Sequence, residues 1–193
     1  FRILHVCTGN IGRSPMAERL MRMHLQAGSD GAARRFAVTS AGTWGCDGAE
    51  MERFAALALA ERGGDPSGFA ARELTDAILA QTDLVLTATR EHRSEVVRLR
   101  PQVVRWTFTL KEFARLSGVV RAATTDNIPG SSTKANAFVE LAGRLRGMGD
   151  RPAPAEDDLV DPLGAPVTVY RQRAAEIDEA CRQIVDLLAS PPH

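Results

Sequence analysis

Val6-Cys7-Thr8-Gly9-Asn10-Ile11-Gly12-Arg13-Ser14-Pro15 is the stretch from which the rest of the chain can be placed. The residues ahead of it, Arg2-Ile3-Leu4-His5-Val6, form an apolar run of buried-strand length. Ser14-Pro15 at its end reads as a helix N-cap followed by proline at the first helical position. The stretch is therefore a loop from a strand into a helix. With Gly9 and Gly12 in it and a helix start behind it, such a loop aims several backbone N–H groups at one point, where the helix dipole also favours negative charge. Cys7 places a thiol on the floor of this anion cradle. Arg13, six residues on, places a planar two-pronged donor on its rim, a match for a tetrahedral oxyanion. The setting is that of a reactive cysteine. Cys46 and Cys181 lack it, since the sixth residues after them are Glu52 and Leu187.

Residues 6–18, Val-Cys-Thr-Gly-Asn-Ile-Gly-Arg-Ser-Pro-Met-Ala-Glu, resemble the phosphate-binding loop of the low-molecular-weight protein tyrosine phosphatases. One residue departs: Gly12 stands where that family usually carries a second cysteine. Further on, Ser40-Ala41-Gly42-Thr43-Trp44 is similar to the family's second strand and following loop, which makes Trp44 a candidate wall of the pocket. Asp161-Pro162, just before the last helical stripe, matches the family's general-acid loop, with Leu163 and Gly164 where the family often places aromatics.

Composition bounds the class. At 193 residues, 44% hydrophobic and 25% charged, the chain fits one soluble domain, expected to span residues 1–193 with a mobile insertion at about 119–158. The 24 basic residues balance the 24 acidic ones, so no overall field invites nucleic acid or an anionic membrane. No apolar run reaches the roughly 18–20 residues of a membrane span. The three separated cysteines suit neither a disulfide framework nor a zinc site, and the start lacks the order of a secretion signal. A cytoplasmic location is expected, without metal or cofactor.

Strand-like runs at residues 2–6, 36–40, 83–89 and 103–108 alternate with helical patterns at 16–26, 50–62, 90–99 and 109–116. Thr109-Leu110-Lys111-Glu112 reads as a capping box. Four strand-then-helix units predict a three-layer α/β fold: a four-stranded parallel sheet with helices on both faces, in the flavodoxin-like winding that the resemblance also implies, its site beyond the carboxyl ends of the strands. A further helix is expected at 134–146. The last, at 168–188, aligns Tyr170, Ala174, Ile177, Cys181, Ile184 and Leu188 in a core stripe.

The resemblance implies hydrolysis of phosphomonoesters, protein phosphotyrosine or a small aryl phosphate, through a cysteinyl-phosphate. Cys7 would be the nucleophile, Arg13 the oxyanion clamp and Asp161 the general acid. Thr8, Gly9, Asn10, Ile11, Gly12, Ser14 and Trp44 would contact substrate, and inorganic phosphate would be product and inhibitor. Two alternatives share the loop: an arsenate reductase using an external small thiol, which needs only Cys7, and a catalytically silent phosphoprotein-binding module, against which the presence of Cys7, Arg13 and Asp161 together argues.

Overall fold

A computed structural model describes residues 1–28, 31–123, 132–147, 153 and 156–189. Strands β1 (Arg2–Cys7), β2 (Ala37–Gly42), β3 (Leu84–Thr87) and β4 (Thr107–Thr109) form one parallel sheet in the order β2-β1-β3-β4. Alternate residues of β1 serve different layers. Ile3 and Cys7 belong to the larger core, Leu4 and Val6 to the smaller one, which is why the strand reads as a continuous apolar run. The larger core is closed by α1 (Arg13–Ala27), α3 (Arg53–Ala60), α6 (Leu110–Ala123), α7 (Ser132–Leu145) and α8 (Val167–Leu188). A short helix α2 (Ala32–Arg35) precedes β2. The smaller core takes Leu79 from α4 (Asp76–Ala80), Val96 from α5 (Arg90–Leu99) and Val103 from a 3-10 turn, Pro101–Trp106. This is the expected three-layer parallel fold.

The stripe expected on the last helix is the buried face of α8: Tyr170, Ala174, Ile177, Cys181, Ile184 and Leu188 are all buried. Burial lifts the thiol of Cys181 well above its ordinary range, so it packs as a small hydrophobe. His24 on α1 is satisfied by Asp178 of α8, with Nε2 at 2.7 Å from Oδ1.

Several boundaries differ from expectation. Residues 103–106 are helical rather than extended: Pro101 starts the 3-10 turn, Val103 is buried, Val104 is 40% exposed, and only Thr107–Thr109 pairs with β3. The helix at 50–62 is shorter because Glu52 is its N-cap, accepting from Ala55 N at 2.9 Å. The helix begun by the capping box runs on to Ala123. Within the 119–158 stretch, α7 buries Ala135, Phe138, Val139 and Ala142 in the larger core, so this part is packed framework. Residues 124–131, 148–152, 154 and 155 lie outside the described residues. Among the described residues no helix is long and apolar enough to cross a membrane.

The parallel register pairs Cys7 with Gly42, Val6 with Thr87, and Thr87 with Thr109. The carboxyl ends of all four strands therefore open on one edge, which is where the loop after Cys7 lies.

Candidate active site

The loop is held in shape by Asn10. Its φ of 55° is left-handed, a conformation asparagine tolerates. Its fully buried amide donates from Nδ2 to Ser14 Oγ and to Ser40 Oγ, both at 2.9 Å, and accepts at Oδ1 from Arg72 N at 2.9 Å. Ser40 Oγ donates in turn to Glu18 Oε2 at 2.6 Å, and Arg22 pairs with the other carboxylate oxygen at 2.9 Å. The loop's outer edge is pinned by the segment after β2: Thr43 N, Trp44 N and Cys46 N donate to the carbonyls of Cys7, Thr8 and Gly9 at 2.9–3.0 Å. Carbonyls turned outward in this way leave the loop's N–H groups to the inner side.

Ser14 is not the helix cap that its position suggested. The helix begins at Arg13 with Gly12 as cap residue and no side-chain cap bond. The Ser14 hydroxyl is instead drawn inward, 3.0 Å from Cys7 Sγ and bonded by Asn10. The first-turn N–H groups consequently keep their capacity to meet an anion.

Arg13 is 5% exposed and reaches over the loop. Nη1 donates to Leu159 O at 2.9 Å and Nη2 to Asp161 Oδ2 at 2.5 Å, with Thr8 Oγ1 at 3.5 Å from the same nitrogen. Asp161 is half exposed, and its other oxygen accepts from Leu163 N at 3.1 Å, a side-chain-to-backbone turn of the kind aspartate favours. Residues 148 positions apart in sequence thus meet within reach of Thr8, the neighbour of Cys7. Trp44 is 76% exposed and lines an open groove of about 350 Å³ with Leu74, Glu95 and Leu99, a groove whose lining includes none of Cys7, Arg13 and Asp161. Leu163, after the Asp-Pro pair, is 67% exposed.

Five residues of this constellation carried no role in the sequence reading: Glu18, Ser40, Arg72, His92 and Asp158. Asp158 Oδ1 accepts from Arg90 N at 2.8 Å, and His92 Nε2 lies 2.9 Å from Thr8 Oγ1. His92 is held neutral, its pKa lowered to about 4, by burial first and by the nearby Arg13 charge second. The one local signal was Thr89, the N-cap of α5, which fixes where His92 falls.

The model of the low molecular weight phosphotyrosine protein phosphatases matches residues 2–140. The chain belongs to that family. It is accordingly a cysteine-dependent phosphatase. Its likeness extends over nearly the full length to a protein-arginine-phosphatase of Geobacillus stearothermophilus, 27% identical over 188 residues that cover 97% of this chain and 96% of the relative. A low molecular weight protein-tyrosine-phosphatase of Escherichia coli, Etp, is 38% identical over 101 residues, 52% of this chain and 63% of the relative. Among solved structures, the YwlE arginine phosphatase from Geobacillus stearothermophilus superposes with a TM-score of 0.69 at 27% identity, covering 98% of this chain and 94% of that one. The Erwinia amylovora tyrosine phosphatase AmsI, at 20% identity and TM-score 0.69 over 97% of this chain and 93% of that one, shares the fold.

Proposed function

We propose that this phosphatase hydrolyses phosphomonoesters on proteins, phosphotyrosine first, through a cysteinyl-phosphate on Cys7. The observation that carries the reading is that one loop holds Cys7 with Ser14 Oγ 3.0 Å from its sulfur, and ends in Arg13, whose Nη2 holds Asp161 and lies 3.5 Å from Thr8 Oγ1, next to Cys7 in the chain. The Cys7 sulfur would attack phosphorus in line, with Ser14 donating to the thiolate. Arg13 and the loop N–H groups would stabilise the equatorial oxygens of a loose transition state. Asp161 would protonate the departing phenoxide, then take a proton from the water that cleaves the S–P bond, returning thiolate and inorganic phosphate. The Arg13 Nη2 that bonds Asp161 is the prong a phosphoryl oxygen would take, so substrate entry would release Asp161 toward the leaving group.

A second reading concerns the substrate. Arginine phosphatases align with this chain over nearly its full length, and an exposed Leu163 follows Pro162 where the tyrosine-directed family often has an aromatic. A protein phosphoarginine phosphatase would use the same Cys7, Arg13 and Asp161. Arsenate reduction with an external thiol needs Cys7 alone. A version needing two more thiols is disfavoured by the burial of Cys181.

The test is turnover of phosphotyrosine and phosphoarginine peptides and thiol-dependent arsenate reduction on one preparation, beside Cys7→Ser and Arg13→Lys. Phosphotyrosine hydrolysis is expected, with Cys7→Ser inactive and Arg13→Lys crippled, because an ammonium cannot reproduce the two-pronged grip. A higher kcat/KM on phosphoarginine would transfer the assignment to the second reading, and substantial turnover by Cys7→Ser would sink both.

A further inference from the structure

The first turn of α5 touches both loops of the site. Thr89, its N-cap, accepts at Oγ1 from His92 N at 3.3 Å, and the same oxygen lies 2.6 Å from His92 Nδ1. His92 Nε2 reaches Thr8 Oγ1, next to the nucleophile, at 2.9 Å. One residue before His92's neighbour Glu91, the Arg90 N–H donates to Asp158 Oδ1 at 2.8 Å. Leu159 N then bonds Ala88 O at 2.8 Å, which leaves Leu159 O facing Arg13 and carries Asp161 over the loop.

A hydroxyl has one proton and two lone pairs. The Thr89 oxygen accepts the helix N–H, and the acceptor within reach of its proton is His92 Nδ1. In the tautomer with the ring proton on Nε2, Thr89 donates to Nδ1 and the ring donates to Thr8 Oγ1, which leaves the Thr8 proton free to turn toward the anion cradle beside Arg13. This chain requires a neutral ring. The charges that face it are Arg13 from α1, Glu95 on its own helix, and Asp158 and Asp161 from the loop before α8; burial and Arg13 prevail and keep it neutral.

We propose that His92 and Asp158 are positioning residues of the phosphatase reaction, His92 orienting the Thr8 hydroxyl at the cradle and Asp158 seating the general-acid loop on the same helix turn. The proposal rests on the cysteinyl-phosphate reading above. The two residues act on different partners, so their losses have different signatures. His92 acts on the cradle, which every substrate and inorganic phosphate use. Asp158 acts through Asp161, which matters only where the leaving group needs a proton.

The experiment is steady-state kinetics over aryl phosphates from p-nitrophenyl to phenyl phosphate, with inorganic phosphate as inhibitor and thermal melts of each protein. His92→Ala is expected to lower kcat/KM on all substrates by on the order of tenfold to a hundredfold, less than the 10²–10³ of a direct oxyanion donor, and to weaken phosphate inhibition. His92→Gln, whose amide N–H can reach Thr8 as Nε2 does, should recover most of it. Asp158→Ala should cost little on p-nitrophenyl phosphate and about tenfold or more on phenyl phosphate, with phosphate inhibition intact, and Asp158→Asn, which still accepts from Arg90 N, should recover. Losses equal across the leaving groups for both alanine variants, unrelieved by Gln or Asn and tracking a lowered melting temperature, would reduce both residues to helix packing and overturn the proposal; so would wild-type kinetics in both. Turnover in Cys7→Ser would instead overturn the reading beneath it.

Discussion

At the scale of single residues, the loop depends as much on absent side chains as on present ones. A Cβ on Gly42, at the end of β2, would lie 2.2 Å from Thr8 O and 2.9 Å from Asn10 N, so the loop can sit where it does only because a neighbouring strand ends in glycine. A Cβ on Gly12 would meet nothing within 4 Å. Gly42→Ala is therefore expected to displace the loop and destabilise by roughly 1–3 kcal/mol with a large loss of turnover, whereas Gly12→Cys should fold with stability within about 0.5 kcal/mol of the parent. The second variant also restores the family's usual pair of thiols. After peroxide, sulfenylated Cys7 can condense with a neighbouring thiol, losing water to form a disulfide that reductant reverses; without one it can go on to irreversible acids. Recovery by reductant added after increasing delays should persist longer in Gly12→Cys. Cys46 also stands close to the loop: its Sγ would lie 3.4 Å from a Cβ on Gly9. Mass spectrometry of the oxidised parent decides it, since a Cys7–Cys46 disulfide formed in high yield would erase the difference between the two proteins.

Among the elements, α6 shows how a local signal recruits distant partners. The capping box is reciprocal, with Glu112 N donating to Thr109 Oγ1 at 3.1 Å and Thr109 N to Glu112 Oε2 at 3.3 Å. That much was legible in Thr109-Leu110-Lys111-Glu112. The same carboxylate, 6% exposed, also accepts from Arg146 Nε at 2.9 Å beyond α7 and pairs with Arg93 of α5 at 3.6 Å. Arg146 further lies over the Phe108 ring at 3.9 Å. Removing the cap acceptor in Thr109→Ala should cost about 0.5–2 kcal/mol. Glu112→Ala should cost more, approaching the roughly 3–5 kcal/mol of a broken buried pair but below it, because the Arg146 side chain keeps 21% exposure and regains water. Urea denaturation of the two variants measures the difference, and equal costs would mean that the ion pairs add nothing to the cap.

For the whole molecule, the buried histidines set the acid side of stability. Burial lowers the pKa of His5, at the centre of β1, from 6.5 to about 3, and its Nε2 has no protein partner among the described residues; His92 is lowered to about 4. The unfolded chain protonates both near 6.5 while the folded chain does not, so their effect is absent above that pH and stability falls as pH drops toward the folded values, by about 1.4 kcal/mol per unit for each group. His5→Leu removes one of the two and an orphaned ring nitrogen with it. It is expected to match or exceed the parent's melting temperature at pH 7 and to decline less steeply between pH 6 and 4; parallel curves would show that His5 does not resist protonation in the fold. The sequence by itself determined the strand-to-helix loop, the order of strands and helices, the α8 stripe and the α6 cap, because each is written in neighbouring residues as a run, a period or a glycine. It could also nominate Cys7, Arg13 and Asp161. Only the tertiary structure decided that Ser14 does not cap the helix, that residues 103–106 form a 3-10 turn, and that Ser40, Glu18, Arg72, His92 and Asp158 stand behind the loop. Their roles arise where parallel register brings the ends of β1, β2 and β3 to one edge, and a contact made by register leaves no spacing in the chain to read.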